Sequence, residues 1–312
     1  MLDVRRLRLL CDLDRFGTIA AVAAAHTYTP SAVSQQLAAL EREAGVALLE
    51  RTGRRVAFTP AGRVLVRHAE KVLAALEETG AALAAVRGGP AGPLRIGAYP
   101  SAVRTVLPAA LVALGREHPA LELMVAELDP AAVPAALRER RLDAGLLHDY
   151  DIAPAAADTD LDSVPLLDET VHVAVPAGVP AGSVADLREQ PWIMASPGTL
   201  CHEVTLRVCR GAGFTPRVRH HADDFTAVLA LVSAGQGASL VPQLAADRPP
   251  TGLRLIPAPT RRRTRLAFRR GAAHHPAIAA LTAALIAATS EFMILTSGPN
   301  RPNSRDTKLQ EP

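Results

Sequence analysis

The chain has 312 residues, 49% apolar, 21% charged and only 3% aromatic, an ordinary balance for a globular protein and too long for one small domain, so two domains with their own cores are expected. Its net charge of +3 cannot by itself argue for nucleic-acid binding, which needs a local basic surface. The start "MLDVRRLRLL" lacks a signal-peptide pattern, no apolar run reaches the ~18 residues of a membrane span, and Cys11, Cys201 and Cys209 form no close pair, so a cytoplasmic chain with reduced thiols and no membrane contact is expected.

Only Lys71 and Lys308 among the 34 basic residues are lysine, in an alanine-rich chain. That bias fits a GC-rich genome, so arginine counts are discounted. The first segment, "RRLRLLCDLDRF", places Leu7, Leu10, Leu13 and Phe16 at helical spacing, and Gly17 ends it. Thr18 caps a short helix, "IAAVAAAH"; Thr27-Tyr28 turns; Thr29 caps a third helix with Pro30 at its first position and Gly45 as its C-cap. On this helix Val33, Leu37, Leu40 and Ala44 share an inward stripe. The other face carries Ser31, Ser34, Gln35, Ala38 and Arg42, short hydroxyls, an amide and a methyl rather than the usual run of charge. The stretch "VALLERTGRRVAFT" then alternates around Thr52-Gly53 as two short strands.

Helix, short helix, helix and basic hairpin over residues 1–60 describe a winged helix-turn-helix, whose third helix enters the DNA major groove. Thr29, Pro30, Ser31, Ser34, Gln35, Ala38 and Arg42 are the expected reading residues, since hydroxyls and amides pair with base edges and a methyl meets thymine. Arg51, Arg54 and Arg55 in the hairpin would contact phosphates and fix register. A plain three-helix packing unit with a wetted polar face is the competing explanation. From residue 61 to 87 a long helix repeats Leu65, Ala69, Val72, Leu76, Thr79, Leu83 and Val86 every 3.5 residues, a two-helix seam, so Leu65, Val72, Leu76, Leu83 and Val86 are assigned to dimerisation. Packing of that stripe on its own chain is the alternative. "GGPAGP" at 88–93 breaks the helix as a hinge.

Beyond it, strands "LRIGAY", "LELMVAEL" and "LDAGLLHD" alternate with helices, and "VHVAVP", "PWIMAS", "EVTLRVCRGAG", "FTAVLALVSAGQG" and "SLVPQ" repeat the alternation. This predicts an α/β, bilobal domain with parallel sheets over 94–289, with lobe I at about 94–160 and 267–289 and lobe II at about 161–266. Residues 290–312 lose periodicity and read as a disordered tail, although "FMIL" could cap the last helix.

This order of parts resembles the LysR-type transcriptional regulators over about 290 residues. The motif "TIAAVAAAHTYTPSAVSQQLAALEREAGVALLERTGRRVAFTPAG" joins helix, wing and linker start at the family's spacing; "LRIGA", "LDAGLL" and "AVLALVSAGQGASLVP" are looser matches. The resemblance implies a winged helix-turn-helix, a dimerising linker helix and an effector domain like a periplasmic binding protein. It also implies partners: promoter DNA, a small-molecule effector, further copies of the chain in a dimer or tetramer, and RNA polymerase where a promoter is regulated. Gln35 stands where the family often carries Arg, which removes a bidentate guanine reader.

In an open α/β lobe, ligands bind beyond the carboxyl ends of strands at helix starts. Tyr99 and Ser101 follow the first strand, and Pro197, Gly198 and Thr199 follow "PWIMA", so these are candidate effector contacts; Ser101 and Thr199 fit plain helix caps equally. Backbone N–H groups and hydroxyls at those helix starts would suit a carboxylate-bearing effector, whereas Asp149 and Asp151 after "AGLLH", and Asp223 and Asp224 before Phe225, would bring carboxylates to the same cleft and suit an amino-acid-like effector with an ammonium, unless they are caps or solvated. The pairs Cys201-His202 and His220-His221 lack metal-ligand spacing, and no phosphate loop or catalytic series is present, so neither a metal, a cofactor nor an enzyme is expected. A cytoplasmic solute-binding protein or enzyme built on the bilobal domain is the alternative function.

Overall fold

The computed structural model describes residues 1–52, 55–86, 88–155 and 158–297. The head starts with α1 (Val4–Phe16), whose Asp3 cap accepts from the backbone N of Arg5 and Arg6 and whose left-handed Gly17 closes it. Next come α2 (Ile19–Ala25), capped by Thr18, and α3 (Pro30–Ala44), capped by Thr29 and ended by left-handed Gly45. The wing is an antiparallel pair, β1 (Leu49–Thr52) and β2 (Arg55–Phe58). Leu10, Val22, Val33 and Leu40 are fully buried between the three helices, and Val66 and Ala69 of the long helix α4 (Pro60–Val86) complete this core. A Cβ at Gly62 would lie 2.1 Å from the Leu48 carbonyl oxygen, so glycine lets α4 begin hard against the wing.

The dimerisation stripe divides along α4. Ala69 is buried in the head and Leu65 packs beside it, whereas Val72, Leu76, Leu83 and Val86 are 42%, 47%, 61% and 84% exposed. The first turns of the stripe therefore serve the head, and the rest is an uncovered apolar seam.

The C-terminal part is built from β3 (Gly92–Ala98), α5 (Pro100–Arg104), α6 (Val106–Glu117), β4 (Leu121–Glu127), α7 (Val133–Arg138), β5 (Ala144–Tyr150), β6 (Leu161–Pro176), β7 (Pro191–Met194), α8 (Leu200–Gly211), β8 (Arg217–His221), α9 (Phe225–Ser233), β9 (Ser239–Pro242), β10 (Leu253–Arg269) and α10 (Pro276–Ser297). Its main sheet has the order β4-β3-β5-β10-β6-β9. Only β3 pairs in parallel there, with β4 and β5; β10 runs antiparallel to β5 and β6, and β6 to β9. The main sheet is thus mixed, and the expected parallel pairing holds only for β4-β3-β5 and for the separate pair β7-β8. The strands β6 and β10, 16 and 17 residues long, pass through both lobes, with a register shift between Pro257 and Arg261, so a lobe boundary at a single residue near 161 or 266 does not describe them. One core lies around Ile96, Leu107, Leu266 and Leu281; a second surrounds Val173, Trp192 and Val204.

The last helix also differs from expectation. It continues through Ser297, and Phe292 and Met293 pack on the lobe I core, because the apolar "FMIL" turn has a surface to cover; residues 298–312 lie outside the described residues. By length and a mean hydropathy of 1.9, Pro276–Thr296 could cross a membrane, contrary to the sequence expectation. Here Leu281 and Leu285 are fully buried against lobe I.

Head and regulatory domain meet along α4. Arg15 pairs with Asp160, Thr159 Oγ1 donates to Glu70 at 3.3 Å, and Glu77 receives both Arg140 and Arg269. Gly271, at φ +88, brings its backbone so close to α4 that a Cβ would lie 2.3 Å from the Ala74 carbonyl oxygen. Gly271→Ala should therefore destabilise the protein by at least ~1 kcal/mol, through both the left-handed conformation and the clash. Calorimetry should show a lower unfolding midpoint, and an unchanged midpoint would mean that the two parts do not pack this way.

Candidate DNA interface and effector cleft

On α3 the stripe Val33, Leu37 and Leu40 is buried, and Ser31, Ser34, Gln35 and Arg42 are exposed, with Ala38 half-buried. Thr29 Oγ1 accepts from Ala32 N at 3.2 Å and shares a 3.0 Å hydrogen bond with Ser31. Ser34 donates to the Pro30 carbonyl at 2.9 Å, leaving its lone pairs outward as acceptors. Gln36, one residue from Gln35, accepts from Arg6 Nε at 2.9 Å, so it belongs to the packing against α1 rather than to the outer face. The turn between α2 and α3 is tied to α1 by Asp12, buried there, which takes His26 Nε2 at 2.7 Å and Arg15 at 3.0 Å. The wing is tied to α3 through Glu41 Oε1, which accepts from Leu48 N and Leu49 N at 2.9 and 3.0 Å. Tyr28, 52% exposed at the start of α3, is an aromatic at the same surface that the helical stripe did not single out. Of the wing arginines, Arg54 lies outside the described residues, and Arg51 and Arg55 flank the hairpin on paired strands.

In the second candidate site, Tyr99 and Ser101 lie where predicted, at the end of β3 and the start of α5, both buried. What they face was not predicted. Alternation along β10 turns Thr260, Arg262, Thr264 and Leu266 inward, each no more than 3% exposed. Arg262 Nε donates to Glu169 Oε1 at 2.7 Å, its NH2 donates to Ser101 Oγ at 3.3 Å, and its guanidinium lies 4.9 Å from the centre of the Tyr99 ring. Glu169 also accepts from Leu244 N at 2.6 Å. Tyr99 shares a 2.7 Å hydrogen bond with Thr264, and His148 stands edge-on between Tyr99 and Tyr150. Tyr150 in turn reaches Cys201 Sγ at 3.7 Å. The signal in the sequence was the alternation inside "TRRRTRLAF", hidden by discounting arginine.

Burial governs the charges of this cluster. It pushes Tyr99 up to about 12 although Arg262 pulls the other way, and it raises Tyr150, with Cys201 adding to the effect. Burial, with Arg262 and Arg265, drives His148 well below the imidazole range, so the ring is neutral, and its Nδ1 has no partner among the described residues. Burial would lower Arg262, but the Glu169 carboxylate holds it protonated. Burial likewise raises Glu169, with Arg262 and Leu244 N opposing.

The predicted acidic residues do not join this cluster. In strand register Asp149 pairs Arg263 while His148 and Tyr150 pair Thr264 and Arg262, so Asp149 sits on the opposite face, bound to Arg265 at 2.6 Å. Asp151 accepts from Thr260 Oγ1, Arg261 N and Ile152 N. Asp223 accepts from Ser196 N and Oγ, both at 2.7 Å, and Asp224 caps α9 while reaching Arg104 of α5 across the lobes at 3.2 Å. Asp151, Asp223 and Asp224 are matched within the protein, whereas Asp149 Oδ1 has no hydrogen-bond partner among the described residues and lies 3.8 Å from Arg263 Nε. Thr199 caps α8, accepting from His202 N at 3.2 Å, beside exposed Pro197 and Gly198; Phe225 packs on its own lobe. His202 and His221 stack at 6.3 Å and both turn Nδ1 to the Ala195 carbonyl oxygen.

A DNA-reading head on a long helix, joined to a two-lobed domain with a buried charge cluster at the lobe junction, defines an effector-responsive transcriptional regulator. Residues 4–63 match the bacterial regulatory helix-turn-helix protein, lysR family, and residues 87–290 match the LysR substrate binding domain. The chain belongs to the LysR family of regulators. It is 35% identical over 253 residues to a probable hydrogen peroxide-inducible genes activator of Mycobacterium avium, covering 77% of this chain and 79% of that protein. It is 27% identical over 248 residues to the transcriptional dual regulator GltC of Bacillus subtilis, covering 78% and 81%. Among solved structures, the hydrogen-peroxide-bound cysteine-to-serine mutant of Corynebacterium glutamicum OxyR superposes with a TM-score of 0.59 at 26% identity, covering 95% of each chain. CbnR bound to its target DNA shares the fold, with a TM-score of 0.51 at 22% identity, covering 93% of this chain and 99% of that one.

Breaking the buried ion pair on one side tests its structural weight. Glu169→Ala leaves Arg262 charged and unpaired, which should cost about 3–5 kcal/mol. Chemical denaturation should show the loss, and stability close to wild type would mean that Arg262 reaches water.

Proposed function

We propose that this regulator reads promoter DNA with Ser31, Ser34, Gln35 and Ala38 of α3, sets its register with Arg42 and the wing arginines Arg51, Arg54 and Arg55, and responds to a small anionic effector at the lobe junction. The observation that supports the first part is the exposed, uncharged face of α3 above a fully buried Val33-Leu40 stripe. Gln35 makes no hydrogen bond to another described residue, so its amide is available for an adenine edge. Gln35→Ala should cost about 1–3 kcal/mol on the preferred site and relax its base preference, whereas Arg42→Ala should weaken all duplexes alike. Fluorescence anisotropy on specific and random duplexes separates the two; equal losses for Gln35→Ala on both would reject its role. Footprinting on DNA flanking the gene would supply the site.

The exposed seam of Val72, Leu76, Leu83 and Val86 supports a dimer through α4, and further pairing of regulatory domains would make a tetramer able to span a promoter beside RNA polymerase. Leu83→Arg places a charge in that seam and should lower the mass seen by analytical ultracentrifugation together with DNA affinity; an unchanged mass would remove α4 from the interface. A regulator working on DNA in this way acts in the cytoplasm.

For the effector, Arg262, Ser101 Oγ and the unpartnered His148 Nδ1 offer a charge-assisted donor, a hydroxyl and a neutral imidazole at one junction, with Thr199 on the facing lobe. The peroxide-responsive names among the relatives suggest a second reading, oxidation of Cys201 to a disulfide with Cys209. Eight residues apart on α8, the two thiols are separated by a helix rise of ~12 Å, so that bond would require unwinding the helix. Burial raises Cys201 and lifts Cys209 to about 12, which leaves little reactive thiolate. Non-covalent anion binding is therefore the favoured reading. Once a thermal-shift screen finds an effector, Ser101→Ala and Thr199→Ala should move its midpoint on operator DNA at least tenfold while effector-free DNA binding stays unchanged. Wild-type midpoints in both variants would return these residues to plain capping.

A further inference from the structure

A pocket lies away from the lobe junction, between the C-terminal half of α4 and lobe I. It encloses about 330 Å³, within the range of small-molecule sites. Leu94, Ala277 and Ile278 line it with apolar surface from lobe I, Gly80 and Ala81 border it from α4, and Glu77, Arg140 and Arg269 supply its charged lining.

The charges at that end do not balance. Asp143 also borders the pocket, but Arg95 satisfies it from outside through backbone N, Nε and NH2 at 2.9, 3.0 and 3.2 Å. Although burial opposes ionisation, those bonds hold the Asp143 carboxyl below the usual carboxylate range. Burial lowers His275, the remaining titratable group of the lining, so it adds no charge near neutral pH. Three guanidinium groups, those of Arg95, Arg140 and Arg269, therefore share the two carboxylates of Asp143 and Glu77. Arg269 also donates from Nη1 to the carbonyls of Leu137 and Leu142 at 3.2 and 2.8 Å, and its Nη2 lies 3.6 Å from Asp143 Oδ1. Arg140 has most of its five N–H donors left, since Glu77 is its one side-chain partner among the described residues.

The backbone at Arg140 adds a second observation. Its φ is +58, in a left-handed region that residues with a Cβ rarely adopt. Its N–H donates to the Leu137 carbonyl at 3.2 Å, and this turn at the end of α7 is what sends the guanidinium to α4. Such conformations concentrate where a side chain must be aimed.

We infer that this pocket is a ligand site, distinct from the lobe junction, which takes a small amphipathic carboxylate with its headgroup on Arg140 and its hydrocarbon body along Leu94, Ala277 and Ile278. The volume equals roughly ten water-sized groups at ~30 Å³ each, which suits a straight acid of about eight carbons. One wall belongs to the linker helix and the other to lobe I, so an occupant binds only the docked arrangement and favours it over any other.

The test is calorimetric titration of the full-length protein with octanoate, octanol and octylamine. Octanoate should bind saturably and at least tenfold more tightly than octylamine. Arg140→Gln should weaken octanoate at least tenfold while affecting octanol little. Gly80 lines the pocket, and a Cβ there meets nothing within 4 Å, so Gly80→Leu should fill the space and abolish binding of both octanoate and octanol. Ser101→Ala at the lobe junction should change nothing, and operator binding by each variant shows that it is folded. Absence of saturable octanoate binding to the wild type, or equal affinity in wild type and Arg140→Gln, would overturn the assignment. Loss in Ser101→Ala with retention in Arg140→Gln would place the carboxylate at the lobe junction and overturn it equally.

Discussion

A permanent charge sealed from water sets the terms for the regulatory domain. Arg262 is 1% exposed, at the point where β10 passes from one lobe to the other, and an unmatched ion in such a place is penalised by several kcal/mol. Its partners come from separate parts of the chain: Glu169 from β6, Ser101 from α5 and the face of Tyr99 from the end of β3. Glu169 in turn draws in the backbone after β9 through Leu244 N. The groups that neutralise the charge are therefore the same groups that hold the two lobes in register. A change in any one of them is felt by the rest, which is the coupling that an effector site needs.

The head was legible because its signals are local. Thr18 and Thr29 caps, Pro30, Gly17 and Gly45 each act within one turn of their own position, and the structure repeats them residue for residue. The regulatory domain was legible in class but not in direction. The strands β6 and β10 carry charge runs, "LLDE" and "TRRRTR", in which Asp168 and Arg261 are exposed but Glu169 and Arg262 point inward, so the two-residue alternation is masked unless charged residues are allowed inward. Asp149 shows the complementary error: nearness to a strand end says nothing about which face a side chain takes, and one residue of register separates it from His148 and Tyr150. The last helix was cut short at Ser290 because Ser290 and Glu291 are polar, yet both lie on its exposed side while Thr289 is buried.

On α4 a uniform heptad in sequence becomes three surfaces in space. Ala69 and Val66 complete the head, Glu77 and Ala81 face lobe I, and Val72 and Leu83 remain open. A single rigid helix thus touches the DNA-reading unit, the sensor and a prospective partner within 27 residues. Displacement of the sensor relative to α4 needs no intermediary to be felt at the head.

Across the mouth between the lobes, Arg104 reaches Asp224 and Thr226, and these side chains lie on the surface, 40% and 47% exposed for the ion pair. An exposed pair of this kind contributes ~0–1 kcal/mol, so it biases the mouth toward closure by no more than about fivefold. The clasp therefore behaves as a loose latch over a rigid floor: thermal motion releases it continually, and a solute can enter without waiting for the buried Arg262 cluster to come apart. Added salt screens the clasp far more than the interior pair, so ionic strength acts on how fast the mouth opens and leaves what lies beneath it almost untouched.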